Sequence, residues 1–177
     1  MHWYWIDRFT VFESHKRAEA IKAISLAEDH MHDHFRHYPI MPGSLIIEGL
    51  AQTGGLLVCE ATGYQAKVVL AKIPKIIFHD TEAVPGDLLT YRASLDSLRD
   101  GGAVVSVSAH RRNAQRENDL LIEGEFVFAH LSTEHFKETA LFRDGDLIDM
   151  MRIFGAYDIG LAKDGSKLCE PGVNLET

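Results

Sequence analysis

One stretch of this 177-residue chain concentrates side chains that could move protons: it runs from His34 through Pro39, Pro42 and Gly43 to Glu48. A glutamate flanked by Ile46, Ile47 and Leu50 is unusual. An apolar setting disfavours the charged carboxylate, so Glu48 could serve as an acid near neutral pH. The bland alternative is a glutamate paired with a basic residue or turned to solvent. Pro42-Gly43 stands where a helix should begin, and a first helical turn offers unpaired N–H groups at the positive end of its dipole. Gly43, lacking a side chain, would let a carbonyl oxygen reach those donors. An ordinary helix start would use the same two residues. His34 lies near the rigid turn made by Pro39 and Pro42, and imidazole, titrating at about pH 6.5, can take a proton from carbon. A loop histidine can equally be structural or exposed.

His34 belongs to a cluster with His30, His32 and His37, which raises the question of a metal. In a strand, alternate spacing would place His30, His32 and His34 on one face without making them converge. No second Cys/His group follows at zinc spacing, so no metal site is expected. The two cysteines, Cys59 and Cys169, lie far apart and form no redox motif. Cys59 reads as a small apolar residue within a helix, in a reducing compartment.

The elements that must position these groups follow from patterning. Residues 18–27 fit either strand or helix. Residues 28–42, polar and closed by two prolines, read as a structured loop. From Gly43 to about Gly63 the chain is apolar nearly all round, which predicts a buried helix. Gly49, Gly54 and Gly55 within it should mark close approach of another group, since each costs about 1 kcal/mol relative to alanine. Strand-like runs follow at 67–73, 75–80, 88–98, 103–111 and 120–130, separated by turn signals at hairpin spacing. One buried helix and a meander of strands predict an α+β architecture, with an antiparallel sheet wrapped around the helix. Residues 1–130 are expected to form this domain and 131–177 an extension, with a short amphipathic helix over 146–161.

Composition narrows the options. A net charge of −8 argues against a general nucleic-acid binder. No stretch approaches the roughly 18 apolar residues of a membrane span. The opening MHWYWIDRF lacks a basic leader and an apolar run, so a cytoplasmic protein is expected.

The run HFRHYPIMPGSLIIEGLAQ (34–52) closely resembles the signature of FabZ-type 3-hydroxyacyl-acyl-carrier-protein dehydratases, whose His-Phe precedes Pro-x-Met-Pro-Gly and a helical Glu, then Ala-Gln. Phe78 and Val84-Pro85-Gly86-Asp87 resemble that family's second block. The resemblance spans roughly residues 10–130. It implies a hot-dog fold, and a homodimer or trimer of dimers with sites between subunits. It also implies substrates carried on the phosphopantetheine arm of acyl carrier protein. His34 would remove the C2 proton, Glu48 would protonate the leaving C3 hydroxyl, Gly43 would hold the thioester carbonyl, and Gln52 would orient Glu48. No cofactor is needed, because the thioester itself acidifies C2. An acidic carrier should meet a local basic patch, with Lys72, Lys75, Arg92, Arg111 and Arg112 as candidates. Arg36 and His37 depart from the family's usual Pro and Gly, and the tail is an addition. Two alternatives compete: a thioesterase on the same fold and a non-catalytic acyl-thioester binding subunit.

Overall fold

Alternation in burial runs through residues 88–112. Leu89, Tyr91 and Ala93 are buried, as are Ala103, Val105, Val107 and Ala109, while their chain neighbours face outward. Side chains in a strand alternate between faces, so two such strands paired in register present one apolar surface. They are β4 (Leu88–Arg99) and β5 (Gly102–Arg112), antiparallel, with Tyr91 opposite Ala109 and Ala93 opposite Val107. The computed structural model describes residues 4–131 and 145–172.

Around this pair the sheet is completed by β1 (Arg8–Glu13), β2 (Arg17–Ala23), β3 (Lys67–Phe78) and β6 (Asp119–Leu131). The spatial order is β1-β2-β4-β5-β6-β3 and every pairing is antiparallel. Between β2 and β3 in the chain come a short helix, α1 (Asp29–Asp33), and a long one, α2 (Gly43–Ala61). Because β3 lies at the far edge from β1, α2 spans the sheet, packing chiefly on β4 and also on β2, β3 and β5. A six-stranded antiparallel sheet around one central helix is the expected hot-dog fold.

The glycines of α2 are explained by what lies against them. A Cβ on Gly49 would sit 2.4 Å from the Tyr91 ring, and one on Gly54 would sit 3.3 Å from Phe128. Helix and sheet therefore approach closely along this seam, with Ile46, Leu50 and Leu57 fully buried beside it. Each such aliphatic side chain contributes about 1.5–3 kcal/mol on burial. Cys59 is enclosed in the same layer, and burial pushes its thiol up to about 12, in keeping with a packing residue.

Three details differ from the sequence reading. The ambiguous segment 18–27 supplies strand β2, and a preceding strand, β1, had not been anticipated. The runs 67–73 and 75–80 are one edge strand, with register shifts between Leu70 and Lys75 beside Pro74, which has no N–H to give. The loop 28–42 contains the single helical turn or so of α1.

Residues 145–172 form α3 (Asp146–Ile153), α4 (Ala156–Ile159) and an irregular end, in place of one amphipathic helix. Met151, Phe154, Ala156 and Leu168 join the main hydrophobic core. The edge of β1 is hydrogen-bonded to this segment: Phe9 N–H donates to Phe154 O, Leu161 N–H to Phe12 O and Ser14 N–H to Leu161 O, each at 2.8 Å.

The Gly49–Tyr91 contact gives a counter-intuitive prediction. Alanine is the better helix former by about 1 kcal/mol, yet Gly49→Ala should lower Tm by several degrees, because Tyr91 is fully enclosed and overpacking outweighs the gain. A Tm equal to or above that of the parent would mean that the seam is looser than described.

Candidate active site

The segment between β2 and α2 has little regular structure of its own, so its backbone is held from outside. Ile24 N–H donates to Asp87 O and Gly86 N–H to Ile24 O, both at 3.0 Å, while Met41 N–H donates to Ala83 O at 2.7 Å. Both ends of the segment are thus pinned by residues 83–87, which include the Val84-Pro85-Gly86-Asp87 turn. That turn is itself fixed: Gly86 has φ of 96°, a conformation suited to glycine, and the Asp87 carboxylate accepts from Val84 N–H at 2.9 Å and Asn113 Nδ2 at 2.6 Å. Arg111, only 2% exposed, buttresses the preceding strand end through Asp80 at 2.7 Å and the Glu82 carbonyl.

A buried cation ties down the start of the segment. Lys22, 7% exposed, donates to Glu28 Oε1 at 2.6 Å and to Ala23 O at 2.9 Å, and lies 3.6 Å from Asp7 Oδ1. Glu28 also accepts from Ser25 N–H at 3.1 Å. An ammonium buried this far requires such partners.

Within this frame His34 is half-buried, and its N–H donates to His30 O at 3.2 Å. Its ring Nδ1 lies 3.1 Å from Ile40 O, and the Phe35 ring stacks on it with centroids 4.3 Å apart. A carbonyl oxygen can only accept, so Nδ1 carries the proton and, in the neutral ring, the Nε2 lone pair is left to act as a base. Glu48 lies in the second turn of α2, half-buried, with Oε1 accepting from Gln52 Nε2 at 3.0 Å. This is the i,i+4 pairing expected of Gln52. Among the described residues no hydrogen bond or ion pair joins His34 to Glu48.

Gly43 is the first residue of α2, after Pro42, and no side chain caps the helix start. Leu45 and Ile46 N–H both turn back to Pro42 O, whereas Gly43 N–H has no acceptor among the described residues. Phe78 packs on this glycine, since a Cβ there would lie 3.3 Å from its Cε1.

The other histidines separate. α1 is helical where strand spacing was considered, so His30 and His32 diverge: the His30 ring meets Trp5 edge-on at 5.3 Å, and His32 Nε2 bonds Leu26 O at 3.0 Å. Among the described residues no group of three or more potential ligands could hold a metal ion. Two of the proposed basic-patch residues are otherwise engaged. Arg111 is buried in its ion pairs, and Arg92 pairs with Glu19 at 3.5 Å, leaving Lys72, Lys75 and Arg112 exposed. The sequence reading missed Trp5, Lys22, Glu28 and the supporting role of Arg111; their only signal is charge or aromatic character in otherwise apolar runs.

The fold, with an imidazole before the central helix and a carboxylate inside it, is that of a hot-dog protein. A family model described as "FabA-like domain" matches residues 2–125. The 3-hydroxyacyl-acyl-carrier-protein dehydratase FabZ of Listeria monocytogenes is 36% identical over 125 residues, covering 70% of this chain and 83% of that protein. The enzyme of the same name from Clostridioides difficile is 34% identical, covering 70% and 84%. A solved structure from Streptococcus mutans bound to acetyl CoA superposes with a TM-score of 0.57 at 14% identity, over 75% of this chain and 94% of that one. An acyl-CoA hydrolase from Staphylococcus aureus gives 0.55 at 18%, over 70% and 71%, and these likenesses show the fold. The chain belongs to the FabA-like family and is of the FabZ type.

The Lys22–Glu28 pair sets a pH dependence. Burial pushes the Glu28 carboxyl up, but the hydrogen bonds from Lys22 and Ser25 N–H, with the charges of Lys22 and His30, outweigh it and hold it below its ordinary 4.5. A carboxylate depressed in the folded state contributes stability above its unfolded pKa and loses it as pH falls through the folded value. Glu28→Gln should therefore be clearly less stable than the parent at about pH 6, with the gap closing at about pH 3. Denaturant titrations at both pH values check this, and a gap that widens with acid would contradict it.

Proposed function

We propose that the chain dehydrates 3-hydroxyacyl thioesters to trans-2-enoyl thioesters, the reaction named for its FabZ relatives. His34 Nε2 removes the C2 proton and Glu48 delivers a proton to the leaving C3 hydroxyl. The amide of Gly43, at the positive end of α2, receives the thioester carbonyl and the enolate charge that develops on it. Gln52 holds the Glu48 carboxyl in place. The observation that carries this reading is the polarity of the two held groups: a ring whose Nδ1 is occupied by Ile40 O, and a carboxyl whose Oε1 is engaged by Gln52. Base and acid are thereby each left with one atom that has no partner among the described residues.

The active unit in this reading is a homodimer, with His34 of one subunit serving the Glu48 of the other, alone or within a trimer of dimers. Two features support it. Among the described residues β3 is a sheet edge with no strand on its outer side, and Phe35, Tyr38 and Phe78 leave 56%, 53% and 44% of their surface exposed on or near the site segment. The carrier is an acidic acyl carrier protein in the cytoplasm, met by Lys72, Lys75 and Arg112. No helix among the described residues is long and apolar enough to cross a membrane.

Incubation with 3-hydroxyacyl thioesters, reading enoyl absorbance and free thiol in parallel, separates dehydration from hydrolysis. Enoyl product without thiol is expected; thiol release without enoyl product would establish the thioesterase, and neither would favour a binding subunit. His34→Ala and Glu48→Gln should each lower turnover by about 100- to 10,000-fold while Tm holds. Mixing the two inactive variants as subunits should restore about a quarter of the sites, since about half of randomly paired dimers are mixed and each has one intact site. No recovery after verified mixing would place each site within one subunit.

A further inference from the structure

The dehydration reading requires Glu48 to keep one orientation, and the residue that sets it lies outside the helix. Gln52 bonds Glu48 through Nε2, and its own Oε1 accepts the backbone N–H of Trp5 at 2.9 Å. The two bonds fix the sense of the amide. A backbone N–H can only donate, so Trp5 holds the amide oxygen and the NH2 is turned to Glu48. Were the amide to flip, its NH2 would meet the Trp5 N–H donor against donor and that bond would be lost.

The Trp5 side chain reaches the other half of the site. Its ring meets the His30 ring edge-on, with centroids 5.3 Å apart and planes at 67°. His30 is the residue whose carbonyl accepts the His34 N–H at 3.2 Å. One residue before the first strand thus touches both the support of the carboxyl and the support of the imidazole.

The segment that carries Trp5 is itself held on both sides. Ile6 is 1% exposed, and Asp7 N–H donates to Ile21 O at 2.7 Å. The Tyr4 ring packs edge-on against Phe154 of the C-terminal segment at 5.3 Å, and Phe154 O accepts the Phe9 N–H.

We propose that Trp5 is a positioning residue for the dehydration: its N–H sets the Gln52 amide and through it Glu48, its ring steadies the turn that carries His34, and the C-terminal extension backs it through Phe154. This rests on the dehydratase reading above.

The test uses the full chain and a 3-hydroxyacyl thioester, with kcat, KM and Tm measured for each variant. Trp5→Pro deletes both the N–H and the ring, Trp5→Ala keeps the N–H and deletes the ring, and Trp5→Phe keeps both the N–H and an aromatic edge. Trp5→Pro should lower kcat by about ten- to a hundredfold, the scale of small misplacements at a reacting centre, with KM little changed. Trp5→Phe should recover most of it. Because the N–H acts through Gln52, the further loss of kcat on going from Trp5→Ala to Trp5→Pro should vanish in a Gln52→Leu background, whereas independent effects would multiply. Should Trp5→Pro fail to fold, Trp5→Ala replaces it and tests the ring: a lowered kcat that Trp5→Phe restores, and that multiplies with the loss in Gln52→Leu because the ring acts through His30, supports the role, and a parent-like kcat in Trp5→Ala overturns it. Wild-type kcat in Trp5→Pro overturns the role of Trp5 while leaving the dehydratase reading intact. A parent chain that forms no enoyl product overturns that reading and this one with it.

Discussion

A loop that carries a candidate active site cannot be both irregular and imprecise, and the rest of this structure follows from how that constraint is met. The peptide groups of residues 24–42 cannot all satisfy one another, so they borrow partners from residues 83–87. Three backbone hydrogen bonds, from Ile24, Met41 and Gly86, tie the site segment to that stretch. The Asp87 carboxylate holds the turn, and Arg111 holds the strand end before it. The two blocks that carry the resemblance, 34–52 and 78–87, are therefore parts of one structure: the second is the support on which the first is mounted.

The sheet and helix supply the other fixed coordinate. Gly49, by having no side chain, lets Tyr91 lie against α2 and fixes how near the helix sits to the sheet. Glu48 is its neighbour in the chain, so the same seam that excludes a Cβ determines the depth at which the carboxyl emerges. The ionic cluster of Lys22, Glu28 and Asp7 works differently. Buried charge adds little net stability, but it penalises any arrangement that leaves an ammonium unpaired, which makes the entry to the loop specific.

Much of this was readable from residue types and spacing. His34, Gly43, Glu48 and Gln52 could be singled out because proline, glycine and an acid in an apolar run each imply a local physical demand, and the central helix and four of the strands followed from apolar period. What stayed hidden depends on contacts distant in sequence. β1 has no strict alternation, and its partners are β2 and the C-terminal segment. Arg111 looked like a surface cation because nothing local reveals that Asp80 and Asp119 surround it. The histidine cluster suggested a shared face, but α1 turned its members apart. For the tail, the spacing of Met151 and Phe154 could suggest a helix but not that it would pack beside Tyr4 and Phe9.

The proposed reaction turns on the state of one ring: His34 is held by Ile40 O through Nδ1, and the proposal has Nε2 accept the C2 proton. Nitrogen NMR of the chain labelled in histidine, with His34 assigned by comparison with His34→Ala, reads this directly at a pH where the ring is neutral. The account predicts a protonated Nδ1 and a bare Nε2. A ring protonated at Nε2 instead would contradict it, since the nitrogen assigned to take the proton would already hold one.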